Sequence, residues 1–292
     1  MIPALPDIRI IILNYNGAPL LEKCLPSIKQ AAKSSKYKTS VAVLDNLSTD
    51  SSLPDLAAKH PDVVVYTARE NKILCSYNDY LPLIPEPVVI LLNNDIRVDE
   101  NFVDPLVEKF TEDPNTFMTA PRVMTFDGKS IEAARTKAGM KFGFFWANAR
   151  YPGHLEEAMT PSETFSSGFG AFSREKFLAL GGYDSRFYPG IYEDVDICYR
   201  AARAGYKLYY EPQSVVYHIG QASFKTAYGA KRIEIMAHRN SFLFMWKNFK
   251  GAGFWISHLF FLPLRLAFAA LKGQWTLLQG FWQALTKQGV KK

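Results

Sequence analysis

Short apolar runs alternate with stretches of helical periodicity through the first third of the chain. The apolar runs cover residues 8–13, 41–44, 63–66 and 88–92, and apolar residues recur at helical spacing between residues 20 and 28. Strands separated by helices are typical of α/β domains with a largely parallel sheet. The pattern therefore predicts an α/β fold for this part of the chain.

Three of the four predicted strands end in polar side chains. The residues concerned are Asn14, Tyr15 and Asn16 after the first strand, Asp45 and Asn46 after the second, and Asn93, Asn94 and Asp95 after the fourth. Asn and Asp also cap loops and helices, which is the structural alternative for each of them. In open α/β sheets, however, ligands bind at the carboxyl ends of the strands. Three such ends in succession predict one shared site.

Residues 192–204 form a predicted helix with acids in its first turn and Gly205 beyond its end. Acids in a first turn can simply compensate the helix dipole. At about 100° per residue, Asp194 falls on the apolar face with Ile197, Cys198, Ala201 and Ala202, whereas Glu193, Asp196, Arg200 and Arg203 fall on the far side. A carboxylate on an inward face is costly unless it has a partner or a task, so we expect Asp194 to have a functional role.

His218 follows a strand-like run at residues 214–217. A single histidine after a strand is often structural. Together with Asp95 it could hold a divalent cation, because a carboxylate, an imidazole and phosphate oxygens suit manganese, and magnesium less well.

The middle segment, from about residue 101 to 190, is rich in Gly, Pro, Ser and aromatic residues. A short helix is expected from Arg174 to Leu180, ended by Gly181 and Gly182. The composition favours an acceptor or lid region over an independent domain.

The order of these motifs resembles the non-processive, rhamnosyltransferase-like members of glycosyltransferase family 2, which have the GT-A fold. The resemblance covers about residues 7–250 and is carried by the sequences Asn14-Tyr15-Asn16-Gly17, Asp45-Asn46-Leu47-Ser48-Thr49-Asp50, Leu92-Asn93-Asn94-Asp95, Gly181-Gly182-Tyr183-Asp184, Glu193-Asp194-Val195-Asp196, His218 and Arg239-Asn240. It implies a Rossmann-like, mostly parallel sheet with flanking helices, and an inverting transfer from a nucleotide-diphosphate sugar to a glycan or lipid-linked hydroxyl in cell-wall or polysaccharide biosynthesis.

The resemblance also implies a role for each matching residue. Asn14, Asn16, Asn78 and Asn93 would line the donor pocket, Asp45 would contact the base, and Ser48 and Asp50 would shape the adjoining loop. Asp95 and His218 would bind a divalent cation, manganese or magnesium. Asp194 would be the catalytic base, and Ser167, Gly168, Phe169 and Glu193 would form the acceptor and sugar pocket.

The sequence departs from the family pattern at two places. Asn93 stands where many relatives have the first acid of the metal motif, and the loop 71–78 lacks the usual glycines. A non-catalytic module that binds sugar nucleotides is therefore an open alternative. A dinucleotide-dependent dehydrogenase is disfavoured because no GxGxxG motif follows a strand.

The charge of the chain is unevenly distributed. The total of 34 basic and 28 acidic residues gives +6, but residues 235–292 hold eight of the basic residues, none of the acids and four of the five tryptophans. We expect two regions, a catalytic domain at 1–234 and a basic, aromatic-rich tail of amphipathic helices at 235–292. The near-neutral catalytic part disfavours nucleic acid as a partner.

The tail suits either a membrane interface or packing against the catalytic domain or a dimer partner. Its longest stretch without a charged residue, 251–264, ends at Arg265 and is shorter than the ~20 residues of a spanning helix. Cys24, Cys75 and Cys198 cannot all pair, and no basic region followed by a long apolar stretch begins the chain. We expect a cytoplasmic protein, peripheral at the inner face of the cell membrane.

Overall fold

The computed structural model describes residues 5–220 and 228–287. The strands are β1 (Ile8–Asn14), β2 (Thr39–Asp45), β3 (Val64–Thr67), β4 (Val88–Asn93), β5 (Ile96–Val98), β6 (Thr116–Thr125), β7 (Ile131–Ala133), β8 (Lys137–Lys141), β9 (Phe144–Asn148), β10 (Ser162–Glu163), β11 (Gly170–Ser173) and β12 (Lys207–His218). The helices are α1 (Ala18–Ser34), α2 (Ser52–Lys59), α3 (Tyr77–Tyr80), α4 (Val103–Glu112), α5 (Arg174–Ala179), α6 (Glu193–Arg203), α7 (Ala230–Asn248), α8 (Ala252–Leu271) and α9 (Trp275–Lys287).

One large sheet organises the chain, in the order β10-β12-β6-β11-β4-β1-β2-β3. Strands β3, β2, β1 and β4 are parallel, as are β6 and β12, whereas β11 runs antiparallel between β4 and β6. The predicted α/β class with a largely parallel sheet is confirmed, and the four apolar runs of the N-terminal part are its parallel strands. The antiparallel β11 brings the loop before Gly170 to the end of β4.

Successive apolar side chains of β1 point to opposite faces of the sheet, and helices cover both faces. Ile10 and Ile12 pack with α1 and α4 on one face, and Ile11 packs with α3, α5 and α6 on the other. All three side chains are fully buried. A strand buried on both faces needs helices on both sides, which is the layer arrangement that carries the site at the strand ends.

The C-terminal helices pack on α6 and on the β8–β9 hairpin. Helix α7 crosses the predicted boundary between residues 234 and 235 and buries Phe242, Phe244 and Met245. The Phe145 ring of the hairpin lies 4.7 Å from the ring of Phe244. Helix α7 is thus packed against the rest of the protein.

Helix α8 differs from α7 because most of it is exposed. It has 20 residues and a mean hydropathy of 1.6, so by length and composition it could cross a membrane. The stretch without charged residues, 251–264, stops at Arg265, but helix α8 continues through that residue to Leu271. The prediction that this region is too short for a spanning helix was therefore wrong about the length of the helix.

Candidate functional site

A hydrogen-bonded network joins the ends of β1 and β2. Asn14 donates from Nδ2 to Asp45 Oδ1 at 3.0 Å and to Ser48 Oγ at 3.1 Å. The Ser48 hydroxyl donates to Asp45 Oδ1, and the Ser48 backbone N–H donates to Asp45 Oδ2. Asp45 is fully buried. It holds the two strand ends together, and its direct contact with a base stays a prediction.

The loops that follow these strands are also joined. Asn16, which has a φ of 47°, accepts a 2.7 Å hydrogen bond at Oδ1 from the backbone N–H of Thr49. Asp50 accepts 3.0 Å hydrogen bonds from the backbone N–H groups of Ala18 and Ser52. The hydrogen bonds of Asn16 and Asp50 therefore join the loops at the strand ends, and the part of either residue in donor binding stays a prediction.

Asn94 connects the end of β4 to this network, a contact that the sequence analysis missed. Its Nδ2 donates to Asn14 Oδ1 at 2.8 Å. A β-carbon at position 17 would lie 2.0 Å from Asn94 Nδ2 and 2.6 Å from Asn14 Oδ1, so only glycine fits there. Asn93 ends β4 and is partly exposed.

Asp95 and His218, which are 123 positions apart in sequence, face each other because β5 pairs with β12. His218 Nε2 lies 3.5 Å from Asp95 Oδ2, and His218 Nδ1 lies 3.2 Å from Glu132 Oε2. Burial favours the neutral ring, but the hydrogen bonds and charges of Asp95 and Glu132 outweigh it and raise the pKa of His218. Glu132 belongs to none of the motifs identified in the sequence, so its contact with His218 was not predicted.

The other oxygen of Asp95, Oδ1, is buried and has no hydrogen-bond partner. A buried carboxylate oxygen without a partner is costly, and an acid beside an imidazole is a donor set that a divalent cation accepts. No cluster of three or more His, Cys, Asp or Glu placed to hold a metal occurs within residues 5–220 and 228–287. Two residues of this protein therefore fit a cation whose other ligands would come from a substrate.

The turn before β11 lies between this pair and α6. The Phe169 ring lies 5.8 Å from the ring of His218. On the other side, a β-carbon at position 168 would lie 3.6 Å from Asp194 Oδ2. Ser167 donates from Oγ to the carbonyl of Phe169 at 2.7 Å, which closes the turn. The predicted residues Ser167, Gly168 and Phe169 thus link Asp95 and His218 to Asp194.

Glu193 and Asp194 begin α6, directly after Tyr192. Asp194 is partly exposed and Glu193 is buried, and Glu193 Oε2 has no hydrogen-bond partner. Burial, reinforced by the charge of Asp194, raises the pKa of Glu193 to about 8. Burial also raises the pKa of Asp194. Adjacent carboxyls in this environment hold a proton at a higher pH than ordinary acids.

The far side of α6 is not a solvent face, contrary to what its angular pattern suggests. Asp196 is fully buried and pairs with Lys247 of α7 at 2.8 Å. Ala202, which was expected to face inward, is exposed. The prediction for Ile197, Cys198 and Ala201 is confirmed, since all three are buried. The difference arises because α7 covers the first turn of α6 from the opposite side.

Asn78 of α3 binds the backbone of Tyr183. Its Oδ1 accepts from the Tyr183 N–H at 2.9 Å, and its Nδ2 donates to the Tyr183 carbonyl at 2.7 Å. A β-carbon at position 182 would lie 2.2 Å from Asn78 Oδ1. The backbone of Tyr183 therefore engages the amide of Asn78, and a contact of Asn78 with the donor stays a prediction.

Comparison with known proteins assigns the chain to a family. The sequence profile described as Glycosyl transferase family 2 matches residues 9–181, more than half of the chain. The chain is 26% identical over 233 residues to an N-acetylglucosaminyl-diphospho-decaprenol L-rhamnosyltransferase of Mycobacterium tuberculosis, covering 72% of this chain and 75% of the relative. It is 24% identical to the pre-mycofactocin glycosyltransferase of the same species, covering 74% of this chain and 43% of that relative.

Two solved structures share the fold. GalNAc-T7 with UDP, GalNAc and Mn²⁺ aligns with a TM-score of 0.60 at 19% identity, over 74% of this chain and 44% of that one. The mannosyltransferase PcManGT from Pyrobaculum calidifontis, in complex with GDP-Man and Mn²⁺, aligns with a TM-score of 0.56 at 19% identity, over 99% of this chain and 77% of that one. Both likenesses support the predicted GT-A fold.

Proposed function

Because the chain belongs to glycosyltransferase family 2, we propose that it moves a sugar from a nucleotide-diphosphate donor to a hydroxyl group by a metal-assisted, inverting displacement, with Asp194 as general base. The observation that carries the proposal is the turn 167–169. It touches His218 on one side and approaches the Asp194 carboxylate on the other, so a cation-binding pair and a base flank one short segment.

The donor would lie across the strand ends. The loops after β1 and β2 supply a preformed polar surface for the nucleotide, in which Asn16 and Ser48 are anchored by hydrogen bonds. The acids Asp95, Glu132 and Asp194 by themselves would repel a diphosphate. A divalent cation held by Asp95 and His218 would neutralise that repulsion and stabilise the departing nucleoside diphosphate. Both structural neighbours were solved with Mn²⁺.

The acceptor hydroxyl would meet Asp194 next to Gly168. The absence of a side chain at position 168 leaves the approach to Asp194 Oδ2 open. An ionised Asp194 takes the proton of that hydroxyl while its oxygen attacks the anomeric carbon, and a single displacement inverts the configuration. Because burial and the charge of Asp194 raise the pKa of Glu193, Glu193 adds less negative charge beside the base than an ordinary acid would.

A panel of nucleotide sugars tests the donor. We expect one nucleotide to raise the melting temperature of the protein by about 5 °C at saturating ligand, and only with MnCl₂ present, because a ligand at 100 times its Kd adds about 2.7 kcal/mol. Differential scanning fluorimetry with and without MnCl₂ measures it. The matching nucleoside monophosphates are the control, since they lack the diphosphate. No shift with any donor would contradict the proposal.

We further propose that α8 lies on an anionic membrane surface and brings a lipid-linked acceptor to the site. Its exposed large apolar side chains are 56–86% exposed, and all but Leu259 share one stripe of the helix, which consists of Ile256, Phe260, Leu264, Phe268 and Leu271. Trp275 and Trp282 of α9 are also exposed, and residues 235–286 carry no acid. An apolar, aromatic and cationic surface suits a headgroup region. The mycobacterial rhamnosyltransferase is named for a decaprenol-linked acceptor.

Contacts on the opposite side of α8 favour an interfacial over a spanning arrangement. His258 Nδ1 lies 2.7 Å from the Gly143 carbonyl, and Trp246 Nε1 donates to His258 Nε2 at 3.1 Å. The Arg265 guanidinium lies 4.2 Å from the Phe144 ring centre. These contacts tie two points of α8, two turns apart, to the hairpin and to α7, so the helix lies along the protein surface.

Liposome flotation tests the membrane proposal. The double substitution Phe260→Glu/Leu264→Glu should reduce binding to vesicles of phosphatidylglycerol and phosphatidylcholine by at least about tenfold, because each buried side chain contributes about 1.5–3 kcal/mol. The matched control is Leu83→Glu, an equally exposed leucine on the catalytic part. Equal flotation of the double variant and the control, or no flotation of the unaltered protein, would contradict this role of α8.

A further inference from the structure

The turn that leads into α6 has an unusual backbone. Ile191 and Tyr192 have φ values of 73° and 84°, two successive side-chain-bearing residues in the left-handed region. A β-branched residue rarely adopts this conformation, and it persists only where the surroundings hold it. Glu193 and Asp194 follow directly, so the position of the Asp194 carboxylate depends on this turn being kept.

Asn240 of α7 forms hydrogen bonds with the backbone of this turn. Its Nδ2 lies 2.7 Å from the carbonyl oxygen of Ile191, 2.8 Å from that of Gly190 and 3.0 Å from that of Phe187. The Asn240 side chain is fully buried. The two N–H groups of one amide thus lie within hydrogen-bonding distance of three carbonyl oxygens of the segment that precedes α6.

Arg239 fixes the orientation of that amide. Its Nε donates to Asn240 Oδ1 at 2.7 Å, and its Nη2 donates to the Tyr188 carbonyl at 2.7 Å. Arg239 is buried, and it forms no salt bridge with any acid in the described parts of the chain. Burying a cation without a carboxylate partner is unfavourable for folding, which points to a positional role for this side chain.

A second contact between α7 and α6 lies three residues after Glu193. Lys247 Nζ lies 2.8 Å from both carboxylate oxygens of Asp196, and Asn248 Nδ2 donates to Asp196 Oδ1 at 2.9 Å. Arg200 donates from Nε to Asp196 Oδ2 at 2.8 Å. The first turn of α6 is therefore held both before and after Asp194.

We propose that these four residues of α7, Arg239, Asn240, Lys247 and Asn248, form a clamp that positions Asp194 for proton transfer. They act through α6 and its preceding turn, so they are positioning residues and do not touch the substrate. The inference rests on the proposed role of Asp194 as the base. It also assigns α7 to the catalytic unit, although the charge pattern of the sequence groups most of this helix with the tail.

The test compares two buried positions of the same helix. Asn240→Ala removes the donor to the turn, whereas the control Phe242→Leu alters a ring that packs against Trp246 and Phe281 on another side of α7. Both variants should lower the melting temperature. Only Asn240→Ala should lower kcat, by about 100-fold with the donor KM within about threefold, because a small misplacement of a reacting group has an effect of that size.

A double variant separates this inference from the proposed function. If the clamp acts through Asp194, Asn240→Ala/Asp194→Asn should be no slower than Asp194→Asn alone. The clamp would be overturned if the double variant lost rate by the product of the two single losses, or if Asn240→Ala and Phe242→Leu had equal kcat values. Either result would leave the base assignment intact. Wild-type transfer by Asp194→Asn alone would overturn the base assignment. Should Asn240→Ala fail to fold, Lys247→Met enters the same comparison.

Discussion

Replacing Asp194 with asparagine should lower the rate of sugar transfer by about 10³-fold while leaving donor affinity within about twofold. The amide has the same shape as the carboxylate but cannot accept the proton of the acceptor hydroxyl. Asp194 Oδ2 would lie 3.6 Å from a β-carbon at position 168, so the carboxylate is next to the turn that precedes β11. Single-turnover transfer and calorimetric titration of the donor measure the two quantities separately.

The matched control is Asp104→Asn. Asp104 is the second residue of α4, as Asp194 is of α6, so the two substitutions have the same effect on the dipole of their helix. We expect Asp104→Asn to transfer at the wild-type rate. Transfer by Asp194→Asn within about tenfold of that rate would remove Asp194 as the base, and full donor binding without transfer in the wild-type protein would favour a non-catalytic binding module.

The pH dependence of the wild-type rate is a second test of Asp194 as the general base. Burial raises the pKa of this carboxyl, and the ionised form is the base, so kcat should increase with pH through a midpoint above the ordinary value of an aspartic acid. The residual rate of Asp194→Asn should lack that increase. If kcat of the wild-type protein has already reached its plateau at a pH near the ordinary pKa of an aspartic acid, the assignment of Asp194 as the base is contradicted.

Replacing Asp95 with asparagine should abolish the Mn²⁺-dependent tightening of nucleoside diphosphate binding and lower kcat/KM by about 100-fold or more. The reason is the buried oxygen Oδ1, which has no partner within the protein and which the substitution replaces by a weaker ligand or by a donor. Without added metal the melting temperature should change little, because the substitution removes both a buried carboxylate oxygen that has no partner and the contact of Asp95 with His218.

A graded variant and a control sharpen the test of the cation site. Glu132→Gln leaves Asp95 in place but changes the partner of His218 Nδ1, and such partners typically affect metal affinity by about 10- to 100-fold. Asp127→Asn, an exposed acid of the nearby β6–β7 turn, should leave metal dependence unchanged. Retention of the Mn²⁺ effect in Asp95→Asn would place the cation elsewhere or remove it from the mechanism.

The N-terminal sheet and most of its polar edge could be predicted from the sequence. Strands β1, β2 and β4 are near-continuous apolar runs, and Asn14, Asp45 and Asp95 stand where those runs end. Parallel strands place their carboxyl ends on one edge, so local pattern and sheet geometry were sufficient to bring these residues together. Helical periodicity also predicted the burial of Ile197 and Cys198, which share the side of Asp194, whereas Asp194 itself is partly exposed.

The surroundings of these residues depended on the tertiary structure. Glu132 reaches His218 from 86 positions away, and Asn240 reaches Ile191 from 49 positions away. No periodicity or motif in the sequence predicts either contact. Asp196 was assigned to a far face because an isolated helix has only one apolar side, whereas in the protein α7 covers the other side and buries that acid.

The sequence by itself determined which residues are candidates for a chemical role and which edge of the sheet the polar strand ends share. Hydrophobic periodicity and strand termination are local properties of the chain, and a parallel sheet converts them into one site. The tertiary structure alone decided how Asp194 is held, which partner orients His218, and that α7 packs on the catalytic part while one face of α8 stays exposed. Those features come from contacts between segments far apart in sequence, whose docking depends on the folded chain as a whole.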